Sequence, residues 1–176
     1  MPALAGPFLA AAALLALAGV TKVVDPRPLV RALRSVGLRV PAPLVRAGAL
    51  AQTALGVVAA VTGWRVAAVL VALSYAAFTG FVLVALTRGG VLASCGCFGK
   101  QDVPPTRTHA ALTGLLALAA AAVAVRPLGG LWGRLQEAPG TGAALLVATS
   151  ALAALVYLAL AVLPLLTAAP AARAAR

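Results

Sequence analysis

Hydrophobic positions along the chain fall into long runs that no charged residue interrupts. Five such runs, each at least 18 residues long, cover residues 2–21, 47–64, 66–87, 108–125 and 138–172. Roughly 20 residues of α-helix cross the hydrocarbon layer of a bilayer, so each run is long enough to span it. The pattern predicts five transmembrane helices, near residues 3–23, 44–62, 65–87, 108–125 and 142–163.

The polar stretch after the first run has a periodicity of its own. If residues 26–38 form a helix, its apolar and basic side chains fall on opposite arcs of the helical wheel. The apolar arc is Leu29, Val30, Leu33 and Val36, and the basic arc is Arg27, Arg31 and Arg34. Two interpretations follow: a helix lying in the lipid headgroup layer, with its arginines toward phosphates, or a solvated connection with ordinary topogenic arginines.

Composition supports a membrane class, because 63% of the residues are hydrophobic, 10% are charged, and the mean hydropathy is +1.07. We predict an all-α integral membrane protein of the cell membrane. A four-helix transmembrane bundle core is followed by a fifth C-terminal transmembrane helix. The predicted parts are the core at 1–125 with a cysteine loop at 94–99, a flexible Gly/Pro-rich connection at 126–141, the fifth helix at 142–165 and a disordered tail at 166–176.

The net charge of +11 does not indicate nucleic-acid binding, because the basic residues are scattered over short loops and form no single basic surface. Their distribution indicates instead how the helices are oriented across the membrane. Alternating five helices places eleven basic residues at one end and only Arg65, Arg126 and Arg134 at the other. The positive-inside rule then puts the eleven in the cytoplasm and the N-terminus outside. Signal-peptide cleavage after Ala18 would reverse this, but no Lys or Arg precedes that site, so we expect an uncleaved first helix.

The chain has two cysteines, Cys95 and Cys97, with only Gly96 between them. A dithiol that passes oxidising equivalents needs two sulfurs close enough to join and open to attack. The single intervening residue makes the disulfide ring small, and strain of that kind makes a disulfide more reducible. Gly96 relieves the backbone restriction between the two cysteines, and Gly99 lets the chain turn after Phe98. The spacing predicts a redox-active thiol pair at the membrane surface.

Other interpretations of the cysteines stay open. They could be unremarkable small loop residues, or a static disulfide that pins the loop. Together with His109, the only histidine, they could hold a soft metal ion, but a fourth ligand is missing, so we predict no metal site. The positive-inside rule puts this loop in the cytoplasm, whereas stable disulfides belong to the exterior, and the sequence leaves the two in conflict.

Gln52 falls in the middle of the second predicted helix. An amide that faces lipid costs several kcal/mol, so Gln52 should point into the bundle. There it makes interhelical hydrogen bonds or contacts a quinone headgroup, and quinone is the one candidate cofactor. The chain has three Asp and Glu residues and no plausible pair of them, which argues against hydrolytic acid–base chemistry.

Four segments of the chain are similar to segments of a known family. They are residues 18–22 (AGVTK), Asp25-Pro26, residues 52–56 (QTALG) and Cys95-Gly96-Cys97-Phe98-Gly99. Over about residues 4–125 the chain resembles the methylamine utilisation protein MauE family, within the DoxX-like membrane proteins. The resemblance implies a four-helix redox-associated core that works with a thioredoxin-like partner in disulfide handling for exported proteins, nominally in methylamine dehydrogenase maturation. Related sequences often carry glutamate at the position of Gln52.

Three classes of function remain. The first is a membrane thiol–disulfide oxidoreductase, in which Cys95 and Cys97 exchange with a partner because a single pair allows no internal relay. The second is a non-catalytic membrane scaffold or assembly factor. The third is a transporter of a small solute or metal, which the lack of charge within the membrane spans disfavours. The bilayer is the expected surrounding in each case, and the oligomeric state cannot be read from the sequence.

Overall fold

The structure is a computed structural model of the chain, and it describes residues 4–35, 37–87 and 106–162. Over these ranges the chain is helical apart from its turns, and no strand occurs in them. The helices of the described part are α1 (Ala5–Val24), α2 (Arg27–Ser35), α3 (Ala42–Thr62), α4 (Arg65–Thr87), α5 (Arg107–Val125), α6 (Leu131–Glu137) and α7 (Pro139–Ala161). The predicted all-α class is confirmed.

Five of these helices, α1, α3, α4, α5 and α7, are long and apolar enough to cross a membrane. All five lie within three residues of the predicted ranges. The largest difference is at α7, which begins at Pro139 because the first turn of a helix tolerates proline. The five predicted helices are confirmed, and their length and composition are those of a multi-pass integral membrane protein.

Helix α1 lies at the centre of the bundle. Half of its most apolar window is buried, compared with 22% of α3 and of α4. It packs mainly along α3 and also contacts α7 and α5, while α4 pairs with α5. Its consecutive alanines Ala10, Ala11 and Ala12 are fully buried. Small side chains allow this, because helix association in lipid depends on close van der Waals packing.

Two glycines bring the backbones of α1 and α3 into contact. A Cβ on Gly19 would lie 2.7 Å from the carbonyl oxygen of Ala49, and one on Gly56 would lie 2.6 Å from that of Ala12. Real Cβ atoms do not approach backbone this closely, so any larger residue would push the helices apart. The close contact lets polar side chains of α3 reach the backbone of α1.

Helix α2 covers one end of the bundle. Its three arginines are exposed, whereas Ala32 is buried against Ala85 and Phe81 of α4. The predicted amphipathic helix is therefore confirmed over Arg27–Ser35, with its arginines outward. Val36, the last member of the predicted apolar arc, lies outside the described residues.

The opposite end contains a helix that the sequence did not predict. Within the proposed flexible connection at 126–141, the structure has α6, and Gly130 before it packs against the turn at Gly63. Trp64 and Trp132, both more than 60% exposed, lie at this end. Tryptophan prefers the membrane interface, so α6 is suited to that layer. The predicted tail at 166–176 lies outside the described residues.

Candidate functional site

The predicted thiol loop at residues 94–99, with Cys95 and Cys97, lies outside the described residues. The structure describes the residues on either side of the stretch that contains it. Helix α4 ends at Thr87, and the chain resumes at Thr106, which caps the start of α5. Because α4 and α5 pack along each other, both points lie at the end of the bundle that α2 covers.

A cavity of about 610 Å³ lies among the helices near that same end. Helices α1 to α5 line it, and Leu160 of α7 completes the wall. Most of the lining is leucine, alanine and phenylalanine. The polar residues that line it are Lys22, Gln52, Ser74, Tyr75, His109 and Thr113. Among the described residues, no carboxylate lines it, so the fixed charge contributed by side chains is positive.

Gln52 and Lys22 form a polar edge on one side of the cavity. The Lys22 ammonium donates to Gln52 Oε1 at 3.2 Å, and Gln52 Nε2 donates to the carbonyl oxygen of Leu15 at 3.2 Å. The amide thus joins α3 to α1 at two points. Gly19 allows this reach, because a side chain there would separate the two helices.

The opposite wall is an aromatic face on α4. Tyr75, Phe78 and Phe81 follow one another at intervals of three residues, which places them on one side of the helix. The Tyr75 hydroxyl is used within the protein, since it donates to the carbonyl oxygen of Ala11 at 2.8 Å. That hydrogen bond holds α4 against α1 and fixes the orientation of the aromatic face.

His109 links the start of α5 to α7. It is 2% exposed, and its Nδ1 atom lies 2.8 Å from Thr106 Oγ1. Thr106 Oγ1 also accepts from the His109 backbone N–H at 3.3 Å, and the imidazole hydrogen-bonds the backbone of Leu160. These contacts serve helix docking. No group of three His, Cys, Asp or Glu residues suited to a metal occurs in the described part of the chain.

Sequence reasoning did not anticipate the cavity. One of the two interpretations of α2 places its apolar arc against lipid, whereas Leu29 and Leu33 line the cavity. An amphipathic pattern shows that one face is apolar without showing what covers that face. The sequence could not predict the hydrogen bond from His109 to Leu160 either, because its acceptor is a backbone group that every residue type has.

Comparison with known proteins identifies one family. The family model described as methylamine utilisation protein MauE matches residues 2–127, which include α1 to α5 and the thiol loop. No curated protein and no solved structure matches the chain significantly.

Proposed function

Because the chain belongs to the methylamine utilisation protein MauE family, we propose that it is a membrane thiol–disulfide redox protein. In this role Cys95 and Cys97 cycle between a dithiol and a disulfide. The proposed site of action is the cell membrane. The functional core is the bundle of α1, α3, α4 and α5, to which α7 is an addition.

The observation that supports the proposal is the place where the thiol loop is attached. Thr87 and Thr106, the described residues on either side of the stretch that contains it, lie at the end of the bundle near the cavity, and α2 covers that end with exposed arginines. A thiolate is favoured near positive charge, and thiolate is the form that attacks a disulfide. The cationic end therefore suits a thiol pair that exchanges with a partner at the membrane surface.

The partner is a thioredoxin-like protein. Its dithiol attacks the disulfide of Cys95 and Cys97 and forms a mixed disulfide, which its second thiol then resolves. One disulfide bond breaks and one forms, and two electrons and two protons pass from the partner to Cys95 and Cys97. In the family's nominal role, this exchange serves the maturation of exported proteins such as methylamine dehydrogenase.

Trapping of the mixed disulfide tests the proposal. The exchange is reversible, and in the reverse direction we expect Cys95 to be the sulfur that attacks the disulfide of the oxidised partner. Cys97→Ser should then accumulate a species cross-linked through Cys95 that a reductant dissolves, because Cys97 is missing to complete the exchange, and Cys95→Ser should not. We expect this order because Cys97 is next to the bulky Phe98. The variants should be compared on non-reducing gels of acid-quenched cells.

The double variant provides the control. If neither single variant forms a reducible cross-link, and the Cys95→Ser/Cys97→Ser variant supports normal disulfide content in exported proteins, the oxidoreductase proposal is wrong. The protein then acts as a non-catalytic scaffold.

A further inference from the structure

The cavity has the size and setting of a site for a lipid-soluble molecule. Its volume of about 610 Å³ falls within the roughly 300–1,000 Å³ of small-molecule sites. It is lined by membrane-spanning helices and by the leucines of α2, and it is partly open at its surface. A water-soluble, strongly hydrated solute would lose its hydration against such a lining.

The aromatic face and the polar edge of the cavity together determine which head group fits it. The aromatic face of Tyr75, Phe78 and Phe81 offers a broad apolar surface on which a flat ring packs in offset or edge-on contact. The aliphatic leucines around it suit a hydrocarbon tail. A ring-bearing lipid therefore uses more of this surface than a bare acyl chain does.

The polar edge favours a head that accepts hydrogen bonds. The Lys22 ammonium places a positive charge at this edge, and one amide hydrogen of Gln52 goes to Leu15 while the other has no acceptor among the described residues. No described lining residue is a carboxylate, so a cationic head would find no counter-charge. A ring with carbonyl oxygens meets both requirements.

The electrons of the thiol pair also require an acceptor. The sequence contains two cysteines, so no second thiol pair of this chain can take them. We propose that the cavity binds a quinone, and that this quinone reoxidises Cys95 and Cys97. Binding is inferred from the cavity, whereas the redox step rests on the proposed function. Two S–H bonds break and one S–S bond forms, and the two electrons and two protons convert the quinone to its quinol.

Photolabelling tests the binding step without the thiols. The full-length Cys95→Ser/Cys97→Ser variant is purified in detergent and irradiated with an azido-ubiquinone analogue, and the labelled peptides are mapped by mass spectrometry. We expect label on α3 and α4 at the cavity wall, displaced by decylubiquinone. Because this variant cannot exchange disulfides, its labelling stands or fails independently of mixed-disulfide trapping.

Two matched glycine variants locate the site. A Cβ on Gly48 or Gly80 meets no atom within 4 Å, so both helices accommodate a larger residue. Gly48 lines the cavity and Gly80 does not. Gly48→Phe should lower the displaceable labelling at least about tenfold, and Gly80→Phe should leave it unchanged.

Three results would overturn the proposal. The first is the absence of displaceable label. The second is equal labelling of the Gly48→Phe and Gly80→Phe variants. The third is displacement by phosphatidylglycerol as effective as that by decylubiquinone, which would make the cavity a phospholipid site.

Discussion

At the scale of single residues, Gln52 shows what a polar group in a membrane span requires. Lipid offers no hydrogen-bond partner, so the sequence alone predicts that this amide turns inward. The structure identifies its partners as the Leu15 carbonyl and the Lys22 ammonium. Neither could be read from the sequence. A backbone carbonyl has no residue signature, and Lys22 is 30 positions away along the chain.

Replacement of Gln52 should weaken the contact between α1 and α3. Gln52→Leu removes both hydrogen bonds and should cost about 1–3 kcal/mol of stability, because it withdraws one acceptor from a part-buried ammonium and leaves the Leu15 carbonyl without the amide donor. Gln52→Glu should cost less, since a carboxylate still accepts from Lys22. Thermal unfolding of the detergent-solubilised variants measures the difference.

A double-mutant cycle with Lys22→Met isolates the pair. We expect a coupling energy of about 1 kcal/mol between positions 22 and 52. Additive effects of the two substitutions would show that the hydrogen bond contributes nothing.

At the scale of elements, the contact between α1 and α3 depends on two particular glycines. In so alanine-rich a chain, many pairs of small residues share the spacing of a helix contact, so the sequence could not single out Gly19 and Gly56. Only the three-dimensional packing shows that a Cβ at either position would meet backbone atoms of the other helix. The same packing buries α1 more deeply than the other spans.

Alanine at these glycines should destabilise the bundle. Gly19→Ala and Gly56→Ala should each cost about 1–3 kcal/mol, because the opposing atoms belong to the backbone and cannot move aside alone. Gly6→Ala is the matched control in α1, since a Cβ there meets nothing within 4 Å. The midpoint of thermal aggregation in detergent is the measurement. Equal midpoints for the Gly19 and Gly6 variants would contradict the close contact.

The two short helices differ in how well the sequence predicts them. In α2 the basic and apolar side chains fall on opposite sides of the helix, and the helix lies where that pattern predicts it. Helix α6 spans seven residues with Gly133 inside it. An interior glycine costs about 1 kcal/mol in helix propensity, so local sequence argues against α6. Contacts of α6 with α3 and α7 supply the stabilisation that its low helix propensity lacks.

At the scale of the whole molecule, α1 should remain in the mature protein. Residues 5–18 supply many of the buried side chains and include Tyr75's hydrogen-bond acceptor, Ala11. Cleavage after Ala18 would remove the centre of the bundle and one wall of the cavity. With α1 retained, the positive-inside rule puts the end covered by α2 in the cytoplasm.

Cysteine accessibility tests this orientation in the Cys95→Ser/Cys97→Ser background. Leu38→Cys, at the basic end, should be protected from a membrane-impermeant maleimide in intact cells, whereas Gly133→Cys in α6 should react. Both should react after the cells are permeabilised. Protection of Leu38→Cys would put the thiol loop in the cytoplasm and would contradict its direct exchange with exported proteins, whereas the reverse pattern would contradict the charge rule and agree with the proposed function.

The reversible disulfide of Cys95 and Cys97 is the central claim, and the thiol state of the wild-type protein tests it most directly. Cells are quenched with acid, and free thiols are counted by the mass shift of a polymer-linked maleimide, with and without prior reduction. We predict a fraction that is protected before reduction and gains two labels after it. A protein whose two thiols are fully labelled without reduction, under every growth condition, would contradict the claim.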